Sequence, residues 1–176
     1  MWLINSSIGR KVVMSVTGIA LILFLTFHMS MNIVALFSGE AYNMICEFLG
    51  ANWYAVVATV ALGALTVAHI VYAFILTAQN RSARGNERYA VTGSSPKVEW
   101  ASKNMLVLGI IVLLGMLLHL FNFWYNMMFA EIVGMHTQFH PADGFAYIKE
   151  TFANPVFVVL YIVWICAIWF HLSHGF

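Results

Sequence analysis

Four long stretches of the chain contain no Asp, Glu, Lys or Arg. They cover residues 12–37, 53–78, 104–129 and 155–176. Each is long enough to cross about 30 Å of hydrocarbon as a helix, which takes about 20 residues. The stretches lack the strict alternation of barrel strands, and an open strand edge would leave backbone groups unsatisfied in lipid. The pattern predicts an all-α, polytopic transmembrane bundle with four spans, forming one domain over residues 1–176.

The composition agrees with a membrane protein and excludes several other classes. Of 176 residues, 62% are hydrophobic and 9% are charged, whereas soluble domains carry roughly 25% charge. A net charge of +1 gives nucleic acid too little to pair with. The two cysteines cannot build a disulfide framework. The chain also has no Cys-x-x-Cys-His stretch, which excludes covalent attachment of a c-type haem.

The cations predict how the spans are oriented. Five of the eight lie in the second connection, namely Arg81, Arg84, Arg88, Lys97 and Lys103. Arg10 and Lys11 precede the first span, the first connection (38–52) has no cation, and the third (130–154) has only Lys149. Because cytoplasmic loops carry excess Lys and Arg, the N-terminus and the second connection are predicted to be cytoplasmic. The third connection is long enough to form a small outward cap. The fourth span reaches Phe176 with no polar flank, so we expect a further segment or a partner to cover that end.

Histidine is the titratable residue that recurs inside the spans. His28, His69, His119 and His171 each lie 16 residues after a landmark at the start of their span, respectively Val12, Trp53, Lys103 and Pro155. At about 1.5 Å per residue, each is about 24 Å along its helix. Alternate spans run in opposite directions, so His28 and His119 are predicted at an outer level and His69 and His171 at an inner one. The predicted separation of the two levels is about 10–15 Å.

Two imidazoles that face each other inside a bundle can hold a haem iron from both sides. Gly18 and Gly109 lie ten residues before His28 and His119, and this matching offset indicates similar clearance on the two helices. The alternative for a single membrane histidine is an interhelical hydrogen bond. Zinc fits less well because it prefers about four ligands at one level.

Three further histidines have other interpretations. His174 is three residues after His171 and shares roughly its helix face, so it could be an alternative ligand or a propionate or quinone contact. His136 and His140 fall in the polar third connection and are predicted to be surface residues.

Four features of the chain together point to a known family. They are the His28 span, the basic second connection, the opening Ser6-Ser7-Ile8-Gly9-Arg10-Lys11 and the terminal Phe170-His171-Leu172-Ser173-His174-Gly175-Phe176. In these features the chain resembles the dihaem cytochrome b anchor of succinate dehydrogenase and fumarate reductase. The resemblance is to the single-polypeptide, two-haem type, and it covers essentially the whole chain. It implies two haem b groups, one on His28 and His119 and one on His69 and His171. The family places the fourth ligand four residues before a glycine, which selects His171 over His174.

The resemblance also implies partners. A flavoprotein and an iron–sulfur subunit would dock on the cytoplasmic face of a bacterial inner membrane, with menaquinone as the quinone. Some members use an acidic residue near the quinone; Glu47 and Glu40 are the candidates, with a solvated loop carboxylate as the alternative. The family normally has a fifth span. Some members carry a glutamate two residues before the fourth ligand, where this chain has Trp169.

The sequence therefore predicts a haem-binding anchor that relays electrons, with no catalytic residue of its own for dicarboxylate chemistry. One alternative is the cytochrome b subunit of a hydrogenase or formate dehydrogenase. Another is a haem-free transporter or proton channel that uses the histidines as a relay.

Overall fold

A computed structural model of the chain describes residues 6–84, 100 and 104–175. Throughout these ranges the regular structure is helical. The helices are α1 (Ser7–Ile33), α2 (Gly39–Phe48), α3 (Trp53–Arg84), α4 (Met105–His119), α5 (Ala130–Val133), α6 (Gly144–Ala153) and α7 (Pro155–Gly175). A 3₁₀ turn (Val34–Leu36) follows α1, and a π-helical segment (Leu120–Phe129) joins α4 to α5.

Four helical segments are long and apolar enough to cross a membrane. They are Ser7–Leu36, Trp53–Ala83, Met105–Val133 and Pro155–Gly175. This confirms the predicted all-α transmembrane bundle and makes the chain a multi-pass membrane protein.

The first three spans are longer than predicted. Helix α1 begins at Ser7 because the Ser6 hydroxyl accepts a hydrogen bond from Gly9 N at 2.9 Å, which caps the helix. Helix α3 continues to Arg84 through polar residues that favour a helix as well as apolar ones do. The absence of charge therefore located the apolar core of each span rather than its helical limits.

The spans pack as two antiparallel hairpins. Helix α1 packs along α3, and α4 packs along α7. In the second hairpin, Leu108 and Ala167 are buried against each other. Trp164 lies against the α4 backbone and donates its indole N–H to Val112 O at 2.9 Å. No other pair of spanning helices packs as extensively within the described residues.

A small cap covers one end of the bundle, as predicted for the third connection. It is made by α2 from the first connection and α6 from the third. The Asn43 amide N–H donates to Asp143 Oδ1 at 2.7 Å, and Asn43 Oδ1 accepts from Phe145 N at 2.9 Å. These two bonds join the cap helices.

The two ends of the bundle differ in charge. Arg10, Lys11 and Arg81 lie at the end opposite the cap. Among the residues that the structure describes, the cap end carries Glu40, Glu47, Glu131, Asp143 and Glu150, and Lys149 is its only cation. We call these the basic end and the cap end. Arg88, Lys97, Lys103 and Phe176, on which predictions also rested, lie outside the described residues.

Candidate cofactor site

His28 on α1 and His119 at the end of α4 meet between the two hairpins. Their ring centres are 5.7 Å apart and their planes are inclined at 87°. Two imidazoles bound to opposite sides of one metal, with metal–nitrogen bonds of about 2 Å, would have ring centres roughly 6 Å apart. We call these residues the outer pair, because they lie towards the cap end, and their spacing fits a shared iron.

An aromatic cluster encloses His119. The ring centres of Phe123, Trp164 and Tyr161 lie 5.2, 5.5 and 6.3 Å from that of His119. Phe123 belongs to the π-helical segment, which begins directly after His119. Irregular helical turns of this kind are frequent at functional sites. The cluster gives the outer pair the apolar surroundings that a porphyrin face requires.

A hydrogen-bonded chain connects His28 to the cap. The Asn32 amide N–H groups donate to His28 O at 2.8 Å and approach His28 Nε2 at 3.3 Å. Asn32 Oδ1 accepts from the Tyr42 hydroxyl at 3.0 Å. Burial raises the pKa of the Tyr42 phenol well above its usual range, so this hydroxyl remains a donor. Because His28 O already satisfies Asn32, His28 Nε2 is free to exchange the weaker contact for a metal.

His69 on α3 and His171 on α7 form the second set, which we call the inner pair. His69 Nδ1 lies 3.1 Å from Thr17 Oγ1 on α1. A methyl group placed on Gly18 would be 3.5 Å from His69 Cε1, and one on Gly109 would be 3.5 Å from His171 Cε1. The glycines therefore let the α1 and α4 backbones approach these two rings.

The two pairs occupy two levels. On α1, Gly18 contacts His69 of the inner pair, and His28 of the outer pair follows ten residues later. On α4, Gly109 contacts His171, and His119 follows ten residues later. Ten residues of helix rise about 15 Å. Both hairpins thus give the same separation, at the upper end of the expected range. Gly18 and Gly109 therefore give clearance to the inner pair, and not to His28 and His119 on their own helices.

Each pair includes a buried imidazole nitrogen that lacks a partner. Across the described residues, His119 Nδ1 and His171 Nδ1 are enclosed and make no hydrogen bond. A buried polar atom left unpaired costs roughly 1–3 kcal/mol, and it calls for an explanation such as strain, a redox role, or a bound water or ion. Each of the two pairs therefore has a buried nitrogen that could take part in one further polar contact.

The donor set suits haem better than a metal held by protein alone. The described parts of the chain contain no group of three or more His, Cys, Asp or Glu side chains that could hold a metal ion. A haem iron needs only two axial ligands from the protein, because the porphyrin supplies the others. No large side chain in the described ranges is completely enclosed, and the hairpins pack little against each other. The residues present therefore fit two bis-histidine haems.

Of the remaining candidates, His174 alone shares a helix with one of the two pairs. His174 Nδ1 faces Ser173 Oγ at 3.1 Å and Phe170 O at 3.3 Å, both on its own helix, which favours His171 as the α7 ligand. Glu40 and Glu47 are exposed on α2 in the cap, as the solvated-carboxylate alternative expects. His136 and His140 are exposed, as predicted.

Sequence reasoning missed two residues of the site, Thr17 and Trp164. Thr17 lies eleven residues before His28, about three helical turns, and Trp164 lies seven before His171, about two turns. Each therefore shares the face of a histidine. This helical spacing from a histidine could have pointed to both residues. Threonine and tryptophan, however, do not by themselves indicate a cofactor site.

Comparison of the chain with protein-family models gave no match, and comparisons with curated proteins and with solved structures gave no significant match.

Proposed function

We propose that the chain is a dihaem cytochrome b membrane anchor that relays electrons across the bilayer. In this proposal His28 and His119 ligate one haem b, and His69 and His171 ligate the other. The observation that carries it is the arrangement of four histidines as two pairs, about 15 Å apart along the helices, with the outer rings already 5.7 Å apart. Four unrelated hydrogen-bonding histidines have no reason to pair in this way.

The chain's own residues would bind, orient and shield the cofactors. A haem held by two imidazoles supplies reversible one-electron transfer at its iron. Phe123, Tyr161 and Trp164 exclude water from the outer site, while Gly18 and Gly109 provide clearance at the inner site. Low polarity and restricted solvent access are among the means by which a protein sets a haem potential.

The charge asymmetry supports an orientation of the chain in the membrane. With the basic end in the cytoplasm, the inner pair lies nearer the cytoplasmic face and the outer pair nearer the cap. Electrons would pass between a soluble dehydrogenase on the cytoplasmic side and menaquinone in the membrane. The partners in this proposal are a flavoprotein and an iron–sulfur subunit of the succinate dehydrogenase or fumarate reductase type, in a bacterial cytoplasmic membrane.

The function is tested by reduction of the bound haems with a quinol. The purified chain is loaded with haem in liposomes, menaquinol is added, and the α-band of reduced haem b is followed. We expect menaquinol to reduce at least one haem, and dithionite to reduce the remainder. If dithionite reduces the haems but menaquinol does not, the chain does not react with menaquinol and that part of the proposal is wrong. A protein that takes up no haem would overturn it and favour the transporter alternative.

A further inference from the structure

Thr17 occupies an unusual position in the first hairpin. It is 4% exposed and is the buried polar residue of the described core. Its hydroxyl lies 2.9 Å from Val13 O and 3.0 Å from Met14 O on its own helix. The same oxygen lies 3.1 Å from His69 Nδ1 on α3. Thr17 is thus the point at which the α1 backbone meets an imidazole of the inner pair.

The protons available to Thr17 and His69 decide which of the two side chains donates the hydrogen bond between them. A threonine hydroxyl has one proton, and in a helix it donates that proton to a carbonyl of the preceding turn. Val13 O and Met14 O are placed to receive it, which leaves the Thr17 oxygen as an acceptor towards His69. His69 Nδ1 must therefore carry the hydrogen. In a neutral imidazole the other nitrogen, Nε2, then has the free lone pair.

Within the described residues, the other three histidines of the two pairs make no hydrogen bond to another helix. His28 Nε2 faces Asn32 on its own helix, and His119 Nδ1 and His171 Nδ1 make no hydrogen bond within the described residues. Gly18, the next residue after Thr17, allows the close approach of His69. Thr17 therefore fixes one ligand of one pair and leaves the outer pair untouched.

We infer that Thr17 is a positioning residue that holds His69 as the Nδ1–H tautomer and presents Nε2 to the inner haem iron. The inference rests on the proposed function and deepens it. A metal-bound histidine whose second nitrogen donates a hydrogen bond is oriented by that bond and becomes a stronger electron donor. The bond from His69 to Thr17 consequently stabilises the oxidised inner iron and lowers its reduction potential.

The test is a redox titration of the haem-loaded chain in which Thr17 is replaced. Thr17→Val keeps the shape and removes the acceptor, and Thr17→Ser keeps the hydroxyl. The inner couple is first identified as the one lost in His171→Ala. In Thr17→Val we expect the redox equilibrium of the inner haem to shift roughly tenfold towards the reduced form, about 59 mV for one electron. Its low-spin electron paramagnetic resonance signal should shift as well, while the outer haem keeps both properties.

Two variants control for effects unrelated to His69. Thr17→Ser should restore the wild-type potential and signal. Thr26→Val removes a hydroxyl on the same helix that bonds only Ile22 O and is exposed, and it should change neither haem. An unchanged inner haem in Thr17→Val would overturn the inference while leaving the dihaem proposal intact. A wild-type chain without haem would instead overturn the dihaem proposal.

A folding defect is distinguished by the outer haem, which serves as an internal reference. If Thr17→Val loses both haems, Thr17→Ala is titrated in its place, since it removes the hydroxyl without placing a new methyl group beside the ring. The expected result is again a displaced inner potential beside a normal outer one. Loss of both haems in the two variants would show a general packing role for Thr17 and would overturn the inference.

Discussion

His28 and His119 belong to different helix hairpins, yet their ring centres lie 5.7 Å apart with the ring planes nearly perpendicular. The contact joins α1 to the end of α4 at a place where the hairpins otherwise pack little against each other. Both rings are half-buried, and His119 Nδ1 makes no hydrogen bond within the described residues, which costs free energy. In the proposed function, an iron shared by the two rings would account for this contact.

Replacing His119 with alanine should remove the outer haem and leave the inner one, because the two pairs are separate. We expect the haem content of the purified chain to fall by half, measured as haem per protein. His140→Ala, which changes an exposed histidine in the cap, should retain the wild-type content. Loss of neither haem in His119→Ala would break the proposed pairing.

Replacing Gly109 with leucine should displace His171, since even a methyl group at Gly109 would already touch the ring at 3.5 Å. We expect inner-haem affinity to fall roughly 10–100-fold, the usual effect of disturbing a ligand's support, and the outer haem to remain. Haem titration of the apoprotein measures this. Gly63→Leu is the matched control, because nothing lies within 4 Å of that position; equal affinities in the two variants would refute the proposed clearance.

Replacing Gly115 with alanine should weaken the second hairpin. A Cβ at this position would overlap the Trp164 indole, so the ring must move and lose its 2.9 Å bond to Val112 O. We expect a loss of about 1–3 kcal/mol in the free energy of unfolding, measured by denaturation in detergent micelles. Gly63→Ala should be neutral or slightly stabilising; an equally stable Gly115→Ala would argue against this packing.

The rate of alkylation of Cys46 should begin to rise at a higher pH than that of an ordinary thiol. Burial raises the pKa of Cys46 and Asp143 adds to the rise, while the neighbouring Tyr42 hydroxyl and the Gly144 backbone oppose it. Because the thiolate reacts, the maleimide rate of a Cys166→Ser chain should increase only above the usual thiol pKa. Tyr42→Phe should move the profile to still higher pH. A profile like that of free cysteine would show that the cap is open here.

The same shift has a consequence for stability. The Cys46 thiol ionises at lower pH in the unfolded chain than in the folded one. The un-ionised thiol therefore contributes fully to the free energy of unfolding below the ordinary thiol pKa. This stabilisation is lost as the pH rises through the higher pKa of the folded state. The cap should therefore loosen in alkali rather than in acid.

The sequence was sufficient for the spans and for the two levels because both follow from simple geometry. Uncharged stretches located the apolar part of each span, and the equal offsets of His28, His69, His119 and His171 fixed their heights through the helix rise. The partners of Gly18 and Gly109 could not be read in this way. A glycine ten residues from a histidine lies at the other level, and the ring it faces depends on how the helices pack.

Other features depend on tertiary contacts that no local pattern encodes. The Thr17–His69 contact and the Trp164–Val112 bond each join two helices distant in sequence. The π-helical segment after His119 is rich in aromatic residues, but this composition does not by itself predict a π-helix. The cap was expected from loop length, but its connection through Asn43 was not.

The most direct test of the account is the number of b haems bound per chain. A pyridine haemochrome assay on the purified, haem-loaded protein should give two haem b per copy for the wild type and one for His119→Ala and for His171→Ala. A wild-type protein with no haem, or single variants that still hold two, would contradict the assignment of the four histidines to two irons.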